Sequence, residues 1–291
     1  MSSTTKGTTK IPTLCLVMIV KNESKVILRC LDSVVDYLDY WCIHDTGSTD
    51  NTVEIITNYF NGEYLPRTNF MDKPPLPDKR RKVPGELHHT PFQNFGFNRS
   101  KAIADAKNKA DFCILLDADF ILNVQDPNFK IRMKNDANLI KYDGGLDYRQ
   151  NLLVKSSLDW QYKGVTHEFI AAPAVKQPAN FDGITINHRA DGGCRSEKFD
   201  RDIRLLTEDI AKNPDNIEVN GRSHFYLAQS YKDLRQWANA LPNYEKRVLA
   251  GGWPEEVYFS LYQIGVCKMN IECAKKSGQN PWTFLGDLLR A

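Results

Sequence analysis

The hydrophobic positions near the start of the chain follow two different spacings in turn. The run Leu14–Val20 is continuously apolar, which is typical of a strand buried on both faces of a parallel sheet. After it, apolar residues recur at the spacing of an amphipathic helix, at Ile27, Cys30, Leu31, Val34, Val35 and Leu38. A second apolar run at 41–43 and a second helical stripe at Val53, Ile56 and Phe60 follow. The pattern predicts a β-α-β-α succession.

The same alternation continues to about residue 195 and then gives way to helices. A helix is predicted over 100–110, an apolar strand over 112–116, and further strands and loops over 140–190. Beyond residue 198, a helical stripe and two Leu-small steps 37 residues apart match the tetratricopeptide helix-pair pattern, at Leu227-Ala228 and Ile264-Gly265. A third element begins near Pro281-Trp282. We therefore expect an α/β domain at 11–195 and a helical, tetratricopeptide-like domain at 196–291 that stops within a repeat.

Composition narrows the class of protein. The chain has 291 residues, of which 42% are hydrophobic and 25% charged, and its net charge is +2. These values exclude a disordered, collagenous or coiled-coil protein. The even balance of charge provides no broad basic field for binding nucleic acid. We therefore expect a globular protein with no nucleic-acid partner.

The lengths of the apolar runs and the pattern of cysteines indicate the cellular compartment of the protein. No apolar run approaches the roughly 18 residues of a membrane span, and Leu14–Val20 is too short for the core of a signal peptide. The seven cysteines are odd in number and dispersed, and the chain has no CxxC pair. Free buried thiols of this kind indicate a reducing compartment. The sequence predicts a cytoplasmic protein without a membrane span.

Polar residues follow three of the predicted strands directly. They are Lys21-Asn22-Glu23, Asp45-Thr46-Gly47-Ser48 and Asp117-Ala118-Asp119. Each segment alone is compatible with helix capping, but ligands of open α/β sheets bind at the carboxyl ends of strands, where all three would meet. Asp117 and Asp119 would repel each other there unless a cation lay between them, and carboxylates suit Mg²⁺ or Mn²⁺. The pattern predicts a divalent cation holding a diphosphate.

Several segments, in this order and spacing, resemble family-2 glycosyltransferases of the GT-A fold. They read LVMIVKNES, IHDTGSTDNT, FGFNRSKA and LLDADF, followed by WQYKGVTHEF and INHR. The resemblance covers about residues 11–265. In some members of the family a tetratricopeptide-like tail accompanies the catalytic domain, including members that glycosylate peptides. The resemblance implies a GT-A (Rossmann-like) domain followed by an α-helical region.

The resemblance also implies roles for individual residues. Those expected near the nucleotide-sugar donor are Val20, Asn22, Glu23, Asp45, Arg99, Asp117, Ala118 and Asp119. Among them, Asp45 would hydrogen-bond the base, usually uracil, and Arg99 would hold the ribose or diphosphate. Asp119 would ligate Mn²⁺ or Mg²⁺, and His188 would complete the metal site.

Family-2 enzymes invert the anomeric centre, so the resemblance implies one catalytic base and no covalent intermediate. Glu168, in the segment GVTHE, is the candidate, although the family more commonly has a Glu-Asp motif here. A structural salt bridge is the alternative role for Glu168, and Asp191 is the reserve base. Trp160 and Tyr162 are candidates for a sugar-stacking wall or for the core.

Other classes of protein fit the sequence less well. The segment His167-Glu168 begins like a zinc-protease helix, but Ala171 stands where the second histidine would be. A sugar-phosphate nucleotidyltransferase would need a glycine-rich loop after the first strand, and a non-catalytic binding module would not need the acidic strand ends. We therefore predict a metal-dependent inverting hexosyltransferase that uses a nucleotide sugar, most simply a UDP-sugar. Its acceptor would be a glycan, a peptide or a small molecule, and its helical region is a candidate surface for self-association.

Overall fold

The chain folds into two compact units. A computed structural model describes residues 10–63, 82–144, 148–193, 198–212 and 214–277. The first unit comprises Met1–Lys163 and Phe169–Arg195, and the second comprises Gly164–Glu168 and Ser196–Ala291. The predicted third helical element at Pro281-Trp282 and the cysteine at position 194 lie outside the described residues.

The first unit contains all ten strands and three of the seven helices of the described chain. The strands are β1 (Leu14–Val20), β2 (Tyr40–Asp45), β3 (Gly85–His89), β4 (Phe112–Leu115), β5 (Phe120–Val124), β6 (Ala137–Tyr142), β7 (Arg149–Lys155), β8 (Gln161–Lys163), β9 (Phe169–Ala171) and β10 (Ala179–His188). The helices are α1 (Ile27–Val34), α2 (Thr52–Phe60) and α3 (Phe95–Asp105), with 3-10 turns at Val35–Tyr37 and Phe129–Arg132.

Eight strands form one mixed sheet in the order β3-β2-β1-β4-β7-β6-β10-β5. Strands β3, β2, β1 and β4 run parallel, as the continuous apolar run of β1 predicts. Strand β7 is antiparallel to both β4 and β6, so the second half of the sheet departs from a parallel arrangement. Because β2, β1 and β4 are adjacent and parallel, their carboxyl ends lie side by side.

The predicted boundaries of two helices differ from those in the structure. Helix α1 ends at Val34 and continues only as a 3-10 turn, because Leu38 takes an extended conformation. Helix α3 begins at Phe95, five residues before the predicted start. The side chain of Asn94 caps it by accepting a hydrogen bond from the Phe97 amide at 2.8 Å.

The second unit is helical. It contains α4 (Lys198–Ala211), α5 (Ile217–Asp233), α6 (Trp237–Ala250) and α7 (Pro254–Ser277). Its buried apolar core consists of Phe225, Ala228, Ala240, Tyr244 and Cys267. The buried Arg247 guanidinium lies 3.0 Å from Glu256, which also pairs with Arg222 at 3.0 Å. Four helices follow one another as predicted, whereas their assignment to tetratricopeptide repeats stays a prediction.

The described residues can be compared with two expectations from the sequence, which are the absence of a membrane-spanning helix and the presence of buried free cysteines. None of the described helices is both long enough and apolar enough to cross a membrane. The six described cysteines are buried and form no disulfide among themselves. They are Cys15, Cys30, Cys42, Cys113, Cys267 and Cys273.

Candidate active site

The loops that follow β1 and β2 are joined by hydrogen bonds. Asn22 adopts a left-handed conformation with φ of 57°, and its side-chain oxygen accepts a hydrogen bond from the Thr49 amide at 2.7 Å. The Asn22 amide donates to the Ser48 hydroxyl at 2.9 Å. The carbonyl of Val20 accepts from both the amide and the hydroxyl of Thr46, at 2.9 and 3.0 Å. Asn22 and Val20 therefore fix the backbone of these two loops.

Asp45 ends β2 and is buried. Its carboxylate accepts hydrogen bonds from the amides of Gly47 at 3.2 Å and Ser48 at 3.1 Å, and it lies 3.5 Å from Nδ1 of His89. Gly47 has a φ of 108°, which a side chain would disfavour. A carboxylate has about four acceptor positions, so Asp45 can order this loop and still accept a hydrogen bond from a ligand.

The segment after β4 carries the predicted pair of aspartates. The Arg99 guanidinium on α3 lies 2.7 Å from Oδ1 of Asp117 and 5.9 Å from the centre of the Tyr162 ring. Ala118 is buried between the two aspartates. The structure thus brings Arg99 and Asp117, two of the predicted donor-site residues, together and places Tyr162 beside the guanidinium.

Asp119 lies next to His188. Strands β5 and β10 are antiparallel, with His188 opposite Phe120, and this register sets Nε2 of His188 3.2 Å from Oδ2 of Asp119. The His188 ring also contacts the rings of Phe120 and Tyr142, with centroids 5.0 and 6.3 Å apart. The two predicted metal ligands therefore meet, although they are 69 residues apart in the sequence.

Two glycines that the sequence analysis did not single out lie against this site. The Gly193 amide donates a hydrogen bond to Oε2 of Glu23 at 3.0 Å. A Cβ atom at Gly193 would lie 2.2 Å from the Asn22 carbonyl oxygen, and one at Gly192 would lie 3.3 to 3.4 Å from carboxylate oxygens of Glu23 and Asp119. The only sequence signal is the pair of adjacent glycines after β10. These short distances leave little room for a side chain at either position.

The site is strongly acidic. The pKa of Glu23 is raised to about 7, mainly by burial and also by the negative charges of Asp119, Asp117 and Asp50, against the lowering effect of the hydrogen bond from the Gly193 amide. A raised pKa shows that negative charge is unfavourable at this position without a compensating cation. The electrostatics of the site therefore favour a bound cation.

Asp191, the reserve base, forms an ion pair with Arg29. The two guanidinium nitrogens lie 3.0 and 2.6 Å from the two carboxylate oxygens. The hydrogen bonds and charge of Arg29 lower the pKa of Asp191. A carboxylate held in this way is a weaker proton acceptor.

The segment Gly164–Glu168, which carries the predicted base, belongs to the helical unit. The Thr166 hydroxyl donates to the buried Asp202 carboxylate at 3.2 Å, and the Arg222 guanidinium donates to the His167 carbonyl at 2.9 Å. The His167 ring stacks on Tyr226 with centroids 4.1 Å apart and planes 4° from parallel. Glu168 is half-buried in this segment. Helices α4 and α5 therefore hold the backbone on which Glu168 is carried.

The two aromatic candidates differ in their surroundings. Trp160 is buried, and its indole nitrogen donates to the Lys155 carbonyl at 2.8 Å. Tyr162 is half-buried, and its amide donates to the Ser100 hydroxyl at 2.8 Å. Trp160 thus has the environment of a core residue, which is one of the two roles that the sequence leaves open.

The chain is similar to one protein family and to two solved structures. Residues 15–74 match the model of the family described as glycosyl transferase family 2. No curated protein matches the chain in sequence. Two crystal structures of S. aureus TarS are similar to this structure, each with a TM-score of 0.45. One, of TarS 1-349, is 15% identical and the alignment covers 92% of each chain. The other is 12% identical and covers 90% of this chain and 55% of that one.

The family match spans β1, α1, β2 and α2 together with the loops that hold Asn22, Glu23 and Asp45. It therefore includes two of the three polar strand ends. The chain is a glycosyltransferase whose first unit has the GT-A fold and carries the family 2 pattern at residues 15–74.

Proposed function

We propose that this enzyme transfers a sugar from a nucleotide-sugar donor, most simply a UDP-sugar, in a metal-dependent, inverting reaction. The observation that supports this best is the convergence of carboxylates at the carboxyl ends of β1, β2 and β4, together with the Asp119–His188 contact at 3.2 Å. Ligands of open α/β sheets bind at this edge. The acceptor is a glycan, a peptide or a small molecule with a free nucleophile.

The geometry of Asp119 and His188 fits a divalent cation. Neighbouring ligands of an octahedral ion with bonds of about 2.1 Å lie about 3 Å apart, close to the 3.2 Å between these two side chains. In the described parts of the chain, no further Asp, Glu, Cys or His completes a three-ligand cluster with them. Water and donor phosphate would supply the other ligands. When bound, Mn²⁺ or Mg²⁺ would stabilise the negative charge that develops on the departing diphosphate.

The remaining donor contacts follow from the loops. Arg99, oriented by Asp117, carries a positive charge at the acidic strand end and suits the ribose or diphosphate. Asp45 holds the loop 45–48 in shape and retains acceptor positions for the base. Glu23, which accepts a hydrogen bond from the Gly193 amide, lies at the same carboxyl edge of the sheet.

Inversion needs one general base to remove the proton of the acceptor. Of the two candidates, Asp191 is paired with Arg29 through both carboxylate oxygens, which lowers its pKa and its basicity. The pairing of Asp191 with Arg29 makes it the weaker candidate, and Glu168, which the family resemblance implies, remains the proposed base. Contacts from Asp202, Arg222 and Tyr226 orient the segment that carries it.

A screen of nucleotide sugars tests the reaction class. We expect one donor to raise the melting temperature by several degrees and to be hydrolysed slowly with Mn²⁺ or Mg²⁺, but not with chelator, because ligand binding stabilises only the folded state. Thermal shift and released nucleotide are the two readouts. Binding and turnover that are the same with chelator as with metal would contradict metal dependence.

Replacing Asp119 tests the predicted metal site. In Asp119→Asn we expect metal-dependent hydrolysis and transfer to fall by roughly 10²- to 10³-fold, because charge stabilisation in the transition state is lost. Asp136→Asn is the matched control, since Asp136 forms a half-exposed ion pair with Lys155 that adds little to stability. Activity of Asp119→Asn equal to that of the control would remove Asp119 from the site.

Replacing Glu168 separates donor binding from proton transfer. Glu168→Gln should bind the donor as the wild type does, yet transfer should fall by roughly 10²- to 10⁴-fold, because a neutral amide cannot accept the proton. Donor affinity is measured by calorimetry and transfer by product formation. Asp191→Asn is the comparison: a larger loss of transfer in that variant, with Glu168→Gln near normal, would assign the base to Asp191.

The stacking of His167 on Tyr226 generates a prediction about positioning. Tyr226→Ala should lower kcat for transfer by about tenfold to a hundredfold, because a small displacement of a reacting group is costly. Tyr226→Phe keeps the stacked ring and should retain most of the rate. Donor hydrolysis in the absence of acceptor is the internal control. Equal transfer by the Ala and Phe variants would show that the stack does not position Glu168.

A further inference from the structure

Three soft ligands lie together on one face of the edge of the sheet, away from the carboxylates described above. Cys42 and His44 alternate along β2 and so point to the same face, and parallel pairing sets His88 of β3 beside His44. One ligand atom from each of the three lies within 4.8 Å of the others. Among the described residues no other cluster of Cys, His, Asp and Glu meets this condition.

The central residue of the cluster is His44, which is fully buried. Its Nδ1 lies 2.9 Å from the Thr90 hydroxyl, whereas its Nε2 makes no hydrogen bond within the described residues. That nitrogen lies 3.3 Å from a carboxylate oxygen of Asp105, at an angle unsuited to a hydrogen bond. A buried polar nitrogen left without a hydrogen bond costs stability, and a bound metal ion would give it a partner.

The surroundings of the His44 ring fit the role of a ligand. Burial disfavours the charged form of the ring and lowers its pKa. If Nδ1 donates to Thr90, the lone pair of Nε2 faces the Asp105 carboxylate. Lys101 already pairs with the same Asp105 oxygen at 3.0 Å, but Nε2 of His44 still lacks a hydrogen-bond partner in the described chain, and a bound metal ion would supply one.

The other two side chains complete a donor set of one sulfur and two nitrogens. The Cys42 thiol is buried, and burial raises its pKa to about 12, so it stays protonated until a metal displaces the proton. Nε2 of His88 lies 3.0 Å from a carboxylate oxygen of Glu86. Carboxylates and hydroxyls of this kind commonly orient metal-binding imidazoles. Glu86 and Thr90 would serve His88 and His44 in this way.

We propose that Cys42, His44 and His88 bind Zn²⁺ at a site that fastens the edge strand β3 to β2. Thiolate and imidazole are ligands that zinc prefers, whereas Mg²⁺ and Mn²⁺ prefer carboxylate oxygen. Zinc bonds of about 2.0 to 2.3 Å set neighbouring ligand atoms about 3.5 Å apart, which is within the 4.8 Å limit that encloses the three ligand atoms. The His88 side chain is one-third exposed and stacks on His44 with ring centroids 4.6 Å apart, so the ring would turn out of this stack on binding. Asp105, which also pairs with Lys101, is a candidate for a fourth ligand.

The site is independent of the proposed donor site in both residues and metal preference. His44 and Asp45 are neighbours in β2, but successive side chains of a strand point to opposite faces. Zinc at the cluster would hold the β2–β3 pair, and β3 also carries His89 next to Asp45. The zinc ion would therefore have a structural role, which is to keep β3 paired with β2.

Metal content is the direct test. The full chain, purified without a metal-affinity step, is saturated with Zn²⁺, dialysed and analysed by mass spectrometry. We expect about one Zn²⁺ per wild-type chain and a loss of roughly tenfold or more in His88→Ala. His89→Ala is the matched control, because this histidine follows directly in β3 and points to the other face. Asp119→Asn should retain its zinc, which separates the cluster from the proposed donor site.

Substitution with Co²⁺ identifies the ligands. Wild-type protein should show the near-ultraviolet band of a thiolate bound to Co²⁺, and Cys42→Ser, which changes a single atom, should lack it. Circular dichroism confirms that each variant is folded. If His88→Ala does not fold, the Cys42→Ser spectrum decides. A folded wild-type chain that holds no Zn²⁺ and shows no thiolate band, or equal metal content in His88→Ala and His89→Ala, would overturn the proposal.

Discussion

Repulsion among carboxylates at one edge of the sheet is the constraint on which the rest of the first unit depends. Parallel pairing of β2, β1 and β4 brings Asp45, Glu23, Asp117 and Asp119 to that edge. Each carboxylate has its own partner: two loop amides for Asp45, the Gly193 amide for Glu23, Arg99 for Asp117 and His188 for Asp119. These partners come from four different segments, so the sheet, α3 and the stretch after β10 must all be in place to tolerate the charge.

The strands that carry this charge are the most hydrophobic part of the molecule. Six of the seven residues of β1 are buried, and so is every residue of β4. A core of this kind supplies the stability that the polar edge cannot, because buried apolar area is the dominant favourable term in folding. The division is sharp: Val20 is 2% exposed and Asn22, two residues later, is exposed. The polar site therefore lies at the end of buried strands and outside the apolar core.

Local pattern was enough to predict β1, β2, β4 and the three polar strand ends, because a buried strand and its exit are both encoded within a few residues. The antiparallel half of the sheet could not be predicted in this way, since its register pairs residues as distant as Phe120 and His188. The role of Gly192 and Gly193 was missed for the same reason. A side chain at these positions would collide with Asn22 or crowd Glu23, which are far away in the sequence. The early start of α3 follows from Asn94, whose capping hydrogen bond has only a weak sequence signal. The role of Glu168, the division at residue 195 and self-association stay predictions.

Strand β2 shows how one segment can serve two kinds of chemistry. Its side chains alternate, so Cys42 and His44 face α3 and β3 while the next residue, Asp45, joins the oxygen-rich edge. Hard cations select oxygen and soft cations select sulfur and nitrogen, so the alternation also separates the metals that each face would accept. A slip of one residue in the pairing of β2 would exchange the two faces and destroy both sites. The register of β2 against β1 and β3 therefore has to be specified strongly. A metal that bridges β2 and β3 would help to fix this register at the edge of the described sheet, where β3 pairs with β2 alone.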